Sequence, residues 1–358
     1  MGVPVKDHEG CGCESGLSRQ RVLQAGLAAA TAGAMGGILG GADDAEAQGG
    51  LGTRPIDIHA HYFPKPYLTL LAKEGKHPTS SDPKFTDLKL RLADMDKKGV
   101  AVHALSLTTP MLYWGSGEHS LGLAKAWNDA AIGAHQAYPA RFVVLATLPM
   151  QFSDLAIAEL DRVVKLPGVR GVYMGTNIGG KDLDDRQFEP IFARIEQLGL
   201  PIFLHPVTPL GGDRFKDYYL SNLIGNPVDG TTAAAHLIFG GVLDRHPGLT
   251  FCLPHSGGAL LSLIGRWDRG WRVRSEDKNL PKAPSEYLRR FVFDTVSHSK
   301  AYSEYMIQQV GVDRFLVGSD YCFDMGVDEP VKFVQELDLP VAQRNMILNG
   351  NAAKLLKL

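Results

Sequence analysis

The stretch Ile56-Asp57-Ile58-His59-Ala60-His61 sets two imidazoles one residue apart at the end of an apolar run. Side chains i and i+2 of a β-strand point to one face, so His59 and His61 can aim at a common point. Neutral imidazole is the commonest protein ligand for a divalent transition metal, and two on one strand supply half of a four-ligand site. The other half must come from the ends of other apolar runs. Ile202-Phe203-Leu204-His205 finishes on a histidine, Phe251-Cys252-Leu253-Pro254 is followed at once by His255, and Val317-Gly318-Ser319-Asp320 ends on an acid. A lone strand-end histidine is more often structural than a ligand; agreement among four strand ends gives the pattern its weight. His59, His61, His205 and Asp320 make a three-nitrogen, one-oxygen set. It suits one divalent metal, Zn2+ first with Mn2+ as the alternative, and leaves a position for water or substrate. His255 is then left as a proton-transfer group near that position, with Asp320 able to share in moving the proton.

The elements that must position these groups are legible from Ile56 onward, where short β-branched or apolar runs alternate with longer amphipathic stretches. Eight runs are predicted as strands: Ile56–His59, Val102–Leu107, Phe142–Thr147, Val169–Met174, Pro201–His205, Thr250–Pro254, Phe291–Asp294 and Phe315–Gly318. Helices are predicted between them, over Leu88–Lys98, Leu121–Ala137, Leu155–Lys165, Phe188–Leu198, Thr231–Arg245 and Tyr302–Val310. Eight βα units match an α/β fold of the (β/α)8 TIM-barrel type, which takes ~250 residues plus insertions. The polar stretch from Tyr62 to Pro83 and the Gly/Pro-containing segment Thr208–Asp229 each follow a strand end, where barrel enzymes keep site-covering loops, and each is a candidate lid. The fourth run ends Val172-Tyr173-Met174-Gly175-Thr176, with no lysine to bridge two metals as a carbamate, so one metal is expected. Such a metal polarises a carboxylate or carbonyl and acidifies bound water, which leaves decarboxylation and hydrolysis both open.

The chain has 358 residues, 44% hydrophobic and 21% charged, which fits one large globular domain. Its opening differs. Ser18-Arg19-Gln20-Arg21-Val22-Leu23 leads into an Ala/Gly-rich run to Gly41, and Ala45-Glu46-Ala47 offers a small-x-small cleavage site. This reads as an export signal over residues 1–47, similar to a twin-arginine signal with Gln20 in place of the second arginine, ahead of a barrel domain over 48–358. The run is too weakly apolar for a stable membrane span. Residues 1–47 carry three basic and six acidic side chains, so residues 48–358 hold 34 against 33, a net charge of +1. That balance gives no reason to expect nucleic acid as a partner. Cys11 and Cys13 fall in the leader, while Cys252 and Cys322 are isolated and lack metal-ligand spacing; Cys322, close to Asp320, is a candidate site-lining thiol.

After Arg54 the chain resembles the amidohydrolase superfamily, specifically its aminocarboxymuconate-semialdehyde decarboxylase group of zinc-dependent decarboxylases. The resemblance is carried by Ile56-Asp57-Ile58-His59-Ala60-His61, Met95-Asp96-Lys97-Lys98-Gly99-Val100, Tyr113-Trp114, Thr147-Leu148-Pro149-Met150-Gln151, His205-Pro206, His255-Ser256-Gly257-Gly258-Ala259, Gly265-Arg266 and Gly318-Ser319-Asp320-Tyr321. It implies that His59, His61, His205 and Asp320 are the metal ligands and that His255 is the catalytic acid/base. Asp294 and His298 fall on a matching stretch after the seventh strand, where a hydrogen-bonding role behind the ligands is expected. Arg266 matches an arginine that enters a neighbouring subunit's pocket and binds the substrate carboxylate, which implies a homodimer. A second family arginine, in the insertion after the first strand, has no counterpart, because residues 62–86 contain lysines and no arginine. The expectation is therefore a non-oxidative decarboxylase of a small unsaturated or hydroxylated aromatic carboxylic acid. A lactonase or amidase on the same barrel is the alternative, and an exported metal-binding protein without turnover is a third reading.

Overall fold

Ten strands occur in the computed structural model, which describes residues 54–276 and 280–358. They are β1 (Ile56–His61), β2 (Val102–Ser106), β3 (Phe142–Thr147), β4 (Val169–Gly175), β5 (Asn177–Ile178), β6 (Lys181–Asp182), β7 (Ile202–His205), β8 (Phe251–Leu253), β9 (Phe291–Asp294) and β10 (Phe315–Leu316). β5 and β6 form a small antiparallel hairpin, and the other eight pair in parallel in chain order. The first and last of these meet: Ile58 N donates to Val317 O at 2.9 Å, His61 N donates to Tyr321 O at 2.9 Å, and Ala60 bridges Tyr321. The sheet is thereby closed into the expected (β/α)8 barrel. The expected export signal, its cleavage site, Cys11 and Cys13 lie outside the described residues.

Alternation along the strands builds two apolar layers. Val143, Leu145, Tyr173, Phe203, Cys252, Val292 and Leu316 fill the barrel interior, which Ala352 and Leu356 of the last helix close from below. Their neighbours Val144, Val172, Ile202, Phe251 and Phe291 face outward, against helical side chains such as Trp127, Leu160, Phe192 and Leu237. The helices around the barrel are α1 (Lys65–Lys73), α2 (Leu88–Lys97), α3 (Gly117–Ala137), α4 (Ser153–Val163), α5 (Glu189–Leu198), α6 (Asn226–Phe239), α7 (Val242–Arg245), α8 (Leu260–Val273) and α9 (Lys300–Val310). Side-chain caps start several of them: Asp87 accepts from Lys89 N and Leu90 N ahead of α2, and Ser299 accepts from Tyr302 N ahead of α9.

Two local departures from the sequence reading matter. The helix expected over Thr231–Arg245 begins earlier, at Asn226, and breaks into α6 and α7 at Gly241, whose φ of 70° is left-handed. β1 runs two residues further than expected and carries a register irregularity between Asp57 and Ala60. Ile56 and Ile58 belong to the interior cluster, and the bulge lets His59 and His61 turn into the same interior although they sit at the opposite parity. Among the described residues no helix is long and apolar enough to cross a membrane.

Candidate metal centre

The C-terminal ends of four barrel strands deliver the predicted side chains to one place. β1 ends on His61, β7 ends on His205, His255 lies two residues beyond β8, and Asp320 follows β10. His59 Nε2 is 3.1 Å from His61 Nε2 and 3.3 Å from Asp320 Oδ1, and His61 Nε2 is 3.0 Å from the same oxygen. The His205 ring centroid lies 4.7 Å from that of His61 and 5.3 Å from that of His59. Donors about 2.1 Å from a shared tetrahedral ion stand roughly 3.4 Å from one another, so the separations among His59, His61 and Asp320 fit one divalent cation, and a His205 donor atom lies within 4.8 Å of those of His59 and Asp320.

Each of three histidines is oriented through its other nitrogen. His59 Nδ1 donates to Asp294 Oδ2 at 2.7 Å, His205 Nδ1 donates to Pro206 O at 2.9 Å, and His61 Nδ1 lies 3.1 Å from Ser106 Oγ. Such partners fix the tautomer and would leave Nε2 to face a cation. Thr108 Oγ1, 3.2 Å from His205 Nδ1, adds a second restraint there. Ser106 and Thr108 were not predicted, and a hydroxyl residue near the end of β2 is too common a feature to flag them.

His255 differs from the other three. A donor atom of His255 lies with those of His59, His205 and Asp320 in a group whose members are all within 4.8 Å of one another. Distance by itself therefore does not separate it from the four expected ligands. Its Nδ1 is buried with no hydrogen-bond partner among the described residues, and its Nε2 is 3.8 Å from Asp320 Oδ2. It thus lacks the orienting partner that His59, His61 and His205 each have.

Electrostatics follow from burial and the carboxylates. Burial opposes charge on His59, but Asp320, Asp294 and Asp57 outweigh it and raise this imidazole to about 9, so the site favours a positive charge. Burial lowers His61 to about 4 despite its bond to Asp320, and burial together with His61 and His59 pushes His205 well down, which keeps both as neutral donors. Burial opposes ionisation of Asp320, yet His59, His255 and His61 hold it well below the usual carboxylate range.

The backbone is strained where these groups sit. His255, Ser256, His298 and Asp320 all have φ between 52° and 57°, a region non-glycine residues seldom adopt. Asp294 compensates at one of these turns by accepting from His255 N at 3.0 Å and Ser256 N at 2.7 Å. Gly318 is needed beside it, since a Cβ there would lie 2.6 Å from Asp294 Cβ. Asp294 thus makes hydrogen bonds to His59 and to the turn at His255, as a residue expected behind the ligands would. His298 is exposed and lines a cavity of about 250 Å³ that His255 and Asp320 also line, without joining the donor cluster.

His205, His255 and Asp320 line a larger cleft of about 730 Å³. Both segments expected to cover a site line it, the first through Thr79, Ser80 and Asp82 and the second through Pro209, Tyr219, Ser221 and Asn222. Lys84 is the one Lys or Arg among its lining residues, and Asp82, Asp324 and Asp328 line it too. Cys322 also lines it, its thiol pushed up to about 11 chiefly by burial, so it is a wall rather than a nucleophile. Arg266 is exposed on α8 and lines neither cavity; it has no ion pair among the described residues, and Asp268 instead accepts from Ser285 N at 2.9 Å.

A family model described as Amidohydrolase matches residues 56–358. The chain is similar to 2-amino-3-carboxymuconate-6-semialdehyde decarboxylase of Dictyostelium discoideum, 31% identical over 329 residues that cover 85% of this chain and 91% of the relative. It is similar to gamma-resorcylate decarboxylase of Polaromonas sp., 28% identical over 320 residues, 81% of this chain and 95% of the relative. The solved 5-carboxyvanillate decarboxylase from Sphingomonas paucimobilis shares the fold with a TM-score of 0.78 at 28% identity, over 86% of this chain and 99% of that one. With the whole barrel matched and its donors gathered at the C-terminal mouth, the chain belongs to the amidohydrolase family, among its non-oxidative decarboxylases.

Proposed function

We propose that this protein removes CO2 from a small hydroxylated aromatic or unsaturated carboxylic acid at the floor of the large cleft. The convergence of His59, His61, His205 and Asp320, beside the untethered imidazole of His255, carries the reading. Those four residues would hold one divalent metal, Zn2+ by the donor set with Mn2+ as the alternative, and it would supply positive charge to the reacting carboxylate. His255 delivers the proton. As the bond between the substrate carbon and its carboxylate breaks, CO2 leaves, and the electron pair stays on carbon and takes the proton from the imidazolium. The Asp320 carboxylate, 3.8 Å away, stabilises that imidazolium. Val207, Pro209 and Phe323 offer apolar surface to a ring, while Thr108, Asn222, Asn226 and the rim carboxylates offer partners for hydroxyl groups.

A homodimer extends this reading. Leu210, Tyr218, Tyr219, Leu223 and Ile224 near the mouth and Leu263 on α8 are exposed apolar side chains, a surface that a second copy would cover. In that dimer Arg266 would clamp the substrate carboxylate of the neighbouring pocket. The leader-like residues 1–47 support export, to the periplasm in a bacterium.

The test is CO2 release from a panel of hydroxybenzoic and unsaturated acids by the protein loaded with Zn2+ or Mn2+. Release from at least one acid, lost with His59→Ala or His205→Ala along with the metal, supports the reading. Hydrolysis of lactones or amides with no CO2 from any acid would replace it, and full metal content in both variants would overturn the ligand set.

A further inference from the structure

A buried charge network stands behind the donor cluster, on the outer side of the barrel wall. His103 in β2 lies between Val102 and Ala104, which face the interior, so its ring points outward to α2. There Arg91, fully buried, places NH1 3.2 Å from His103 Nδ1, donates through its other amino group to the carbonyl of His61, and lies 4.6 Å over the Tyr321 ring. Because Nδ1 accepts from the guanidinium, the His103 proton is on Nε2, which is 3.5 Å from Asp57 Oδ2. Asp57, also fully buried, accepts from His59 N at 3.0 Å, from Ser319 N at 3.1 Å and from the Ser319 hydroxyl. The network therefore touches the main chain of His59, of His61 and of the residue before Asp320.

We propose that Arg91, His103 and Asp57 are positioning residues that hold the backbone of three metal donors, His59, His61 and Asp320, in the geometry one cation requires. A buried cation and a buried carboxylate on either side of a neutral imidazole are an expensive way to fill a wall, since apolar residues of similar volume often give equal or greater stability. Local geometry supplies the reason for keeping them. The β1 bulge between Asp57 and Ala60 and the left-handed Asp320 are the two irregular backbone points of the donor set, and the network spans both. The assignment rests on the ligand set proposed above.

The experiment compares Arg91→Met, His103→Phe and the milder Ser319→Ala with Arg91→Lys and His103→Gln. Glutamine keeps an acceptor for Arg91 and a donor for Asp57. Dissociation constants for Zn2+, melting temperature and the visible absorption of the Co2+-substituted protein are measured without reference to turnover. The first three variants should weaken Zn2+ binding, Arg91→Met and His103→Phe by ~10–100-fold, and shift the Co2+ bands, while His103→Gln recovers most of both. Lowered melting temperatures with Zn2+ affinity and Co2+ bands unchanged would overturn the positioning role. If either large substitution fails to fold, Ser319→Ala decides by the same two readouts. Failure of the ligand set itself is separately visible, because His59→Ala would then keep its metal.

Discussion

His59 Nδ1 and Asp294 Oδ2 are 2.7 Å apart, and the same carboxylate also holds the amides of His255 and Ser256. One buried acid at the end of β9 thus orients the His59 imidazole from β1 and shapes the turn that carries His255 after β8. Asp294→Asn keeps the shape and removes the charge. It should weaken metal binding by ~10–100-fold while the protein stays folded, as titration with a chelator-buffered metal would show. Unchanged affinity would remove Asp294 from any role in the site.

His255→Gln should keep the metal and lose at least ~100-fold in turnover, because the imidazole has no orienting partner at Nδ1 and its loss removes the proton donor. Elemental analysis beside a CO2 assay separates the two roles. Loss of the metal together with activity would make His255 a ligand.

Arg266→Ala should leave metal content and melting temperature as they are and raise KM strongly, since the side chain is exposed and has no ion pair within its own chain among the described residues. A mixed dimer of Arg266→Ala and His255→Ala chains should regain activity in one pocket, which would have His255 from one chain and Arg266 from the other. An active monomer, or no recovery despite demonstrated subunit exchange, would refute the shared pocket.

His103 gives stability a pH dependence. Burial, with Arg91, Lys98 and Arg141 nearby, pushes its folded-state pKa well below the ordinary 6.5. The unfolded chain therefore takes up a proton below about 6.5 that the folded chain refuses, and stability falls as pH drops, by up to ~1.4 kcal/mol per pH unit from this group. Urea midpoints measured from pH 8 to pH 5 should fall more steeply for the wild type than for His103→Gln. Equal slopes would mean that the imidazole titrates normally in the fold.

The sequence by itself determined the barrel and the meeting of its strand-end side chains, because both rest on local rules. Period-two apolar runs alternating with amphipathic stretches specify strands and helices wherever they occur. His59, His61, His205 and Asp320 stand at strand ends, and a parallel barrel must bring those ends to one rim. What only the tertiary structure decided involves partners far apart in the chain. The bulge in β1 is invisible in Ile56-Asp57-Ile58-His59-Ala60-His61, since simple alternation would put the histidines on the face opposite to Ile56 and Ile58. Asp294 meets His59 across 235 positions, and Ser319 meets Asp57 across 262. Arg91 and His103 read as an ordinary helix charge and a strand histidine until α2 packs against β2. Only that packing makes the buried charges answerable to one another, because a desolvated guanidinium must find its acceptors within the wall that encloses it.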